Sequence, residues 1–149
     1  MYQKNYNYLP LSNLKPEQLV IDQNMNFEEI FYQGKISSDG TAIARGVDVS
    51  YLSQIDQFQY QVNASWNDAQ YKDLNGTWRN RVFDSELTVG ISASYHFSES
   101  WKLNSNWSFI GGRPYTPYDP NNAKTGKENY LDDETNLQRL PDYHSLNLR

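Results

Sequence analysis

Cysteine is absent from the 149 residues, which excludes a disulfide scaffold and any thiolate metal site. Aliphatic residues are sparse: apolar residues make up 38% of the chain and the mean hydropathy is −0.84. That is little for the packed interior a chain of this length ordinarily builds. No apolar run approaches the roughly 18 residues of a membrane-spanning helix. A net charge of −5 without a basic stripe excludes nucleic acid as a partner. A β-barrel is not excluded, because its strands are short and alternating and leave hydropathy almost silent.

What the chain has instead is aromatic: 15% of its residues, with twelve Tyr and four Trp. Disordered chains lack aromatics at this level. Two-faced strands use Tyr, Trp, Asn and Gln more naturally than a buried core does.

Period-two alternation predicts about six strands. Tyr2, Tyr6 and Tyr8 share one side of a short strand stopped by Pro10. Leu11 to Asp39 reads as a long loop, with one helical turn at Lys15 to Leu19 and a local hairpin from Phe31 to Ile36 turning at Ser38-Asp39-Gly40. Thr41 to Leu52 then places Ile43, Val47, Val49 and Tyr51 opposite Gly46, Asp48 and Ser50. A tight connection at Ile55-Asp56 leads to Phe58, Tyr60, Val62, Ala64 and Trp66, which oppose Gln59, Gln61, Asn63, Ser65 and Asn67.

Asp68 to Ser85 reads as loop, with a turn at Asn75-Gly76. Leu87, Val89, Ile91, Ala93, Tyr95 and Phe97 face away from Thr88, Gly90, Ser92, Ser94 and His96. A short turn at Ser98-Glu99-Ser100 precedes Trp101, Leu103, Trp107 and Phe109, opposed by Lys102, Asn104, Asn106 and Ser108. A polar segment from Gly111 to Pro141 separates these from a last strand, Tyr143 to Arg149, with His144, Leu146 and Leu148 on one face.

The connections alternate long, short, long, short, long, the pattern of an outer-membrane barrel with short periplasmic turns and long external loops. The expectation is therefore an all-β antiparallel meander forming part of a transmembrane β-barrel. Girdle aromatics follow the same logic: Tyr51, Phe58, Tyr60, Tyr95, Phe97 and Trp101 beside the short turns, and Trp66, Trp107 and Phe109 at the opposite ends. Phe58 to Trp66 spans about 26 Å along a strand, or roughly 20 Å vertically when tilted. Arg45 is an outward charge near the external end, and Ser105 falls on the outward face near mid-height. A soluble or surface β-sandwich that binds carbohydrate is the competing architecture. It accounts less well for a face as uniformly amide as Gln59, Gln61, Asn63, Asn104 and Asn106.

Three stretches carry a family resemblance. Gly40 to Val49 (GTAIARGVDV), Gly111 to Asp119 (GGRPYTPYD) and Arg139 to Arg149 (RLPDYHSLNLR) resemble, in that order, strand and loop motifs of Bacteroidetes-type TonB-dependent outer-membrane receptors. The resemblance covers roughly Gly40 to Arg149. It implies a barrel of about 22 strands with a plugged lumen, importing a scarce nutrient such as a metal chelate, vitamin or glycan. The partners it implies are outer-membrane lipid, the TonB complex acting through a plug region, and a surface lipoprotein. Residues 1–149 would then be a fragment of the barrel domain, with the plug, the terminal strand and any export signal lying outside it.

No catalytic residue, cofactor or metal site is expected. Asp142, His144 and Ser145 do not read as a triad, because consecutive strand residues face opposite ways. Asp132-Asp133-Glu134 reads as a solvated loop rather than a Ca²⁺ site, for want of ligand spacing. The candidate ligand contacts are Arg79 and Arg81 in one external loop and Arg113, Tyr115 and Tyr118 in the next, which offer cations and flat aromatic surfaces. The alternative is that Arg113 and Pro114 shape the barrel rim.

Overall fold

A computed structural model describes residues 1–23, 35–119 and 130–149. Among them are nine strands: β1 (Tyr2–Ser12), β2 (Ile36–Ile55), β3 (Phe58–Lys72), β4 (Trp78–Asn80), β5 (Leu87–His96), β6 (Lys102–Ile110), β7 (Pro114–Tyr115), β8 (Gln138–Arg139) and β9 (Tyr143–Leu148). One antiparallel sheet runs in the order β1-β2-β3-β5-β6-β9, with β4 paired to the far end of β3. β7 and β8 form a separate two-stranded ribbon. Among the described residues helix is confined to one turn, α1 (Val20–Gln23), and a 3-10 turn at Asp132–Glu134.

The long and short connections fall at opposite ends of the sheet, as expected. The two-residue turn between β2 and β3 places Asp56 at φ +50°, where Asp is better tolerated than most residues. Gly76 at φ +84° makes the Asn75-Gly76 turn.

Several boundaries differ from those read in the sequence. β1 does not stop at Pro10 but runs to Ser12. Among the described residues β2 is the one strand paired along it, which leaves β1 at an edge, and proline is tolerated there and at register shifts such as those around Leu9. A register shift after Tyr6, with Tyr8 at φ +61°, breaks the expected alternation. Tyr2 and Tyr6 pair with Gly46 and Ala42 and so lie on the polar side of the sheet. The helical turn comes at Val20 rather than over Lys15 to Leu19. Ser38-Asp39-Gly40 is strand, not turn, within β2. Phe31 to Gly34 of the expected hairpin lies outside the described residues. β3 continues to Lys72, so Asp68 belongs to the sheet, where its carboxylate pairs with Arg45 at 2.7 Å. That pair explains how a charge stands at the end of an otherwise apolar face.

Register sharpens the two faces. On one, Val49, Ala64, Val89, Phe109 and His144 form a row, and Tyr51, Val62, Ile91, Trp107 and Leu146 the next. Trp107 thus shares a row with Tyr51, so the aromatics step diagonally across the sheet. Rows perpendicular to tilted strands are inclined in this way. Ser105 sits one row further, with Ser53, Tyr60, Ala93 and Leu148. Its direct neighbours in that row are Ala93 and Leu148. The opposite face carries Ser50, Asn63, Gly90, Ser108 and Ser145 in one row and Gln61, Ser92, Asn106 and Asn147 in the next.

The apolar face is uncovered: Val49 is 59% exposed, and Ile55 and Leu146 are 60% exposed. The buried apolar core among the described residues is small and lies elsewhere, near the long-connection end. Leu11, Leu19 and Tyr71 are each 1% exposed and pack with Ala42. Tyr71 also donates its hydroxyl to the Glu17 carbonyl at 2.6 Å, pinning the first long connection to β3.

This core is small enough for one side chain to matter. Leu11→Ala is expected to lower unfolding stability by about 2–4 kcal/mol, whereas Val49→Ala in detergent solution should cost less than about 1 kcal/mol. Denaturant midpoints of the two variants measure the difference.

Candidate functional site

The long connections are polar, and arginine–carboxylate pairs hold them together. Arg79, at 5% exposure, donates through Nε to Asp73 Oδ2 at 2.7 Å. Its Nη1 donates to the carbonyls of Asp133 at 2.9 Å and Thr135 at 3.2 Å. The acidic run Asp132 to Glu134 thus docks through its backbone, and Lys15 Nζ reaches Asp132 at 3.2 Å. Among the described residues no group of three carboxylates or histidines is placed to hold a metal ion. Arg81 pairs with Asp22, donating through Nε to both carboxylate oxygens at 3.1 Å and through Nη2 to Oδ1. This joins α1 to the connection after β4.

The third pair is Arg139 with Asp84. Arg139 Nη2 lies 2.7 Å from Asp84 Oδ2 and 2.9 Å from Glu86 Oε1, while Nη1 donates to the carbonyls of Asp84 and Gly112. Asn67 Nδ2 donates to the other oxygen of Asp84 at 3.1 Å. Glu86 is held at φ +54°, a conformation that costs a non-glycine residue about 1 kcal/mol or more. Burial pushes the Asp84 carboxyl pKa up, and the hydrogen bond and charge of Arg139 oppose that rise.

Around Arg139 two distant stretches join. Leu140 N donates to the Arg113 carbonyl at 3.0 Å, and Gly112 N donates to Asp142 Oδ1 at 2.9 Å. β7 and β8 pair directly beyond these contacts. The glycines are needed for close approach. A Cβ at Gly112 would lie 1.6 Å from the Leu140 carbonyl oxygen, and one at Gly111 would lie 2.2 Å from that of Ser85.

Of the five expected ligand contacts, Arg79 and Arg81 have their guanidinium groups engaged inside this assembly. Arg113, Tyr115 and Tyr118 remain exposed. Arg113 lies over the Phe83 ring at 5.8 Å, and Tyr118 meets Tyr130 edge-on at 5.9 Å. Arg113 thus rests on an aromatic of the loop that carries Arg79 and Arg81, and Tyr118 on Tyr130, while the guanidinium groups of Arg79 and Arg81 are taken up in ion pairs. Asp22, Asp73, Asp84 and Arg139, which organise the region, were not singled out by sequence. The available signal was the recurrence of Arg and Asp in connections otherwise made of neutral polar residues.

His144 approaches Phe109 at 6.2 Å on the apolar face, while Asp142 accepts the Gly112 amide and Ser145 takes the opposite face. These three groups do not converge.

No protein-family model matches the chain, and no curated protein or solved structure matches it.

The raised pKa of Asp84 fixes the sign of a pH effect. The folded state holds this proton more tightly than the unfolded chain, so its stabilisation is full below the ordinary carboxylate pKa, near 4. It is lost as pH rises through the raised value. Arg139→Ala removes the opposing charge and leaves a buried carboxylate, an expected loss of about 3–5 kcal/mol at neutral pH and a smaller one near pH 4. Adding Asp84→Asn should recover part of the neutral-pH loss. Denaturant unfolding of both variants at the two pH values measures this.

Proposed function

We propose that this chain is part of the barrel wall of a TonB-dependent outer-membrane receptor that imports a scarce nutrient. The observation that carries this reading is the exposed apolar face that crosses β2, β3, β5, β6 and β9, backed by a mainly polar face that Leu52, Ile110 and Tyr143 interrupt. Burying one large apolar side chain is worth roughly 1.5–3 kcal/mol, and a whole domain is stable by only about 5–15 kcal/mol. Leaving such a face in water is therefore costly, and lipid is the solvent that suits it.

The distribution of aromatics supports the same reading. Tyr51 lies 5.9 Å from Tyr60, Phe58 5.5 Å from Tyr60, and Tyr95 4.8 Å from Phe97, all toward the short turns. Trp66 lies at the other end of the band, next to the Arg45–Asp68 pair. The competing carbohydrate-binding sandwich needs a second sheet over the apolar face. Among the described residues the other sheet is the two-stranded ribbon of β7 and β8, which is too small for that purpose. On the receptor reading the partners are outer-membrane lipid, the TonB complex acting through a plug, a surface lipoprotein and the imported ligand. Of the five candidate contacts, Arg113, Tyr115 and Tyr118 are the ones left exposed to meet that ligand.

The absence of native cysteine in these residues makes the test direct. Single cysteines at Val49, Ile91 and Leu146, and at their neighbours Ser50, Ser92 and Asn147, are introduced into the natural gene product and labelled in outer-membrane preparations with a water-soluble maleimide. The first three should react at least about tenfold more slowly than the second three. Equal reactivity, or recovery of the protein in the soluble fraction, would count against the membrane reading.

A further inference from the structure

Tyr115 and Tyr118 are exposed, and residues 130–136 hold their stretch of chain from behind. Three contacts join the two stretches. Asn136 N donates to Thr116 Oγ1 at 3.2 Å, and Leu131 N donates to the Pro117 carbonyl at 3.0 Å. Tyr118 and Tyr130 pair as an isolated bridge with their rings edge-on. Directly beyond them Tyr115 pairs with Gln138.

Residues 130–136 are in turn fixed to β4. Their turn uses three of its own carbonyls: Leu131 accepts from Glu134 N, Asp132 from Thr135 N and Oγ1, and Glu134 from Leu137 N. The carbonyls of Asp133 and Thr135 are left over, and a carbonyl in a packed turn needs a donor. They are the two that Arg79 Nη1 takes, at 2.9 and 3.2 Å. Asn136 Nδ2 adds a bond to the Asn80 carbonyl at 3.0 Å. It does so from a left-handed conformation, φ +57°, that asparagine tolerates.

Arg79 is itself oriented from its other side. Asp73 Oδ2 accepts its Nε at 2.7 Å, and Asp73 Oδ1 accepts Thr77 N at 2.7 Å. The Asp73 side chain is fully buried. One planar guanidinium therefore meets the turn between β3 and β4 along one edge and the 130–136 turn along the other, a fork that an ammonium group does not offer.

We infer that Arg79 is a positioning residue: acting through residues 130–136, it sets where Tyr115 and Tyr118 stand. Its residue type suggests a direct ligand contact, but its donors face the protein. On the receptor reading these tyrosines are left to meet a ligand, and a surface already held in place loses less freedom when it is occupied. That consequence rests on the receptor reading, whereas the bracing does not.

The test uses the natural gene product purified in detergent, with any cysteine elsewhere in it replaced by serine. Spin labels are placed on Tyr118→Cys and on Gln57→Cys, in the turn at the far end of the sheet. Double electron–electron resonance then reports where position 118 stands. The distance distribution should be narrow in the parent and at least about twice as wide with Arg79→Gln. Thr116→Val, which removes the acceptor of the Asn136 amide, should widen it as well, and serves alone if Arg79→Gln does not reach the membrane. Leu11→Ala loosens the apolar cluster without touching the brace, so it should lower the denaturant midpoint and leave the width unchanged. An unchanged width with Arg79→Gln overturns the proposal even where the midpoint falls, because Arg79 would then only add stability. So does a parent distribution as wide as that of the variants, or equal widening by Leu11→Ala. Fractionation and labelling of the apolar face score the membrane reading separately, so either can fail alone.

Discussion

Much in this sheet follows from one constraint: beyond the long-connection end, where Ala42 and Tyr71 are buried, no second layer covers either face of its strands among the described residues. In a sandwich, one face of each strand is held by side chains from a second layer, and errors on the other face are forgiven by water. Here most residues of β2, β3, β5, β6 and β9 are sorted by parity, with Leu52, Ile110 and Tyr143 on the polar face and Ser53 and Ser105 on the apolar one as exceptions. A one-residue slip between any two strands would put Asn63 among valines and Ile91 among serines, so register is fixed across the whole sheet rather than strand by strand. The fifteen consecutive partners of β2 and β3, from Thr41↔Lys72 to Ile55↔Phe58, show how far this ordering extends.

The same constraint explains why the long connections are joined by ion pairs. A sheet whose apolar side chains are committed to its outer face has few left for a core. Leu11, Leu19, Ala42 and Tyr71 make one cluster, and loop residues beyond it such as Leu74, Trp78, Phe83 and Leu137 stay exposed. Arg79, Arg81 and Arg139 do this work with directed hydrogen bonds, reaching backbone carbonyls as well as carboxylates. Such links carry little net stability, but each guanidinium fixes several donors in one plane and so fixes geometry. The outcome is a cap whose shape is set by polar contacts and whose exposed aromatics, Phe83, Tyr115, Tyr118 and Tyr130, need not serve as its core.

Period two was legible because it is local: the face of Val89 or Trp107 can be read within five residues. The sorting of connections by length was legible for the same reason. What could not be read was pairing across distance. Asp68 looked like the start of a loop because charge ends an apolar alternation, yet Arg45, 23 residues earlier, makes it a strand residue. Pro10 looked like a stop because sequence does not reveal which strand is an edge. Arg79 and Arg81 looked available because their partners, Asp73 and Asp22, lie in a turn and a helical segment that alternation does not describe.

The three stretches that resemble receptor motifs also prove to be less independent than their separation suggests. Gly111 to Asp119 and Arg139 to Arg149 touch directly, through Arg139 on the Gly112 carbonyl, Asp142 on the Gly112 amide and Leu140 against Arg113. Each sequence is needed for the other to fit: a side chain at Gly112 would collide with Leu140, and without Arg139 the Asp84 carboxylate would be buried without its ion-pair partner. They form one structural unit and weigh as one observation. Gly40 to Val49 is a second, in which Arg45 pairs with Asp68 and Gly46 lies beneath the Tyr2 ring. Both units concern how strands end and loops begin at the long-connection side. Motifs with that role would persist among proteins of one architecture whatever they bind, so on the receptor reading ligand choice is to be sought outside them, on exposed aromatics such as Phe83 and Tyr130.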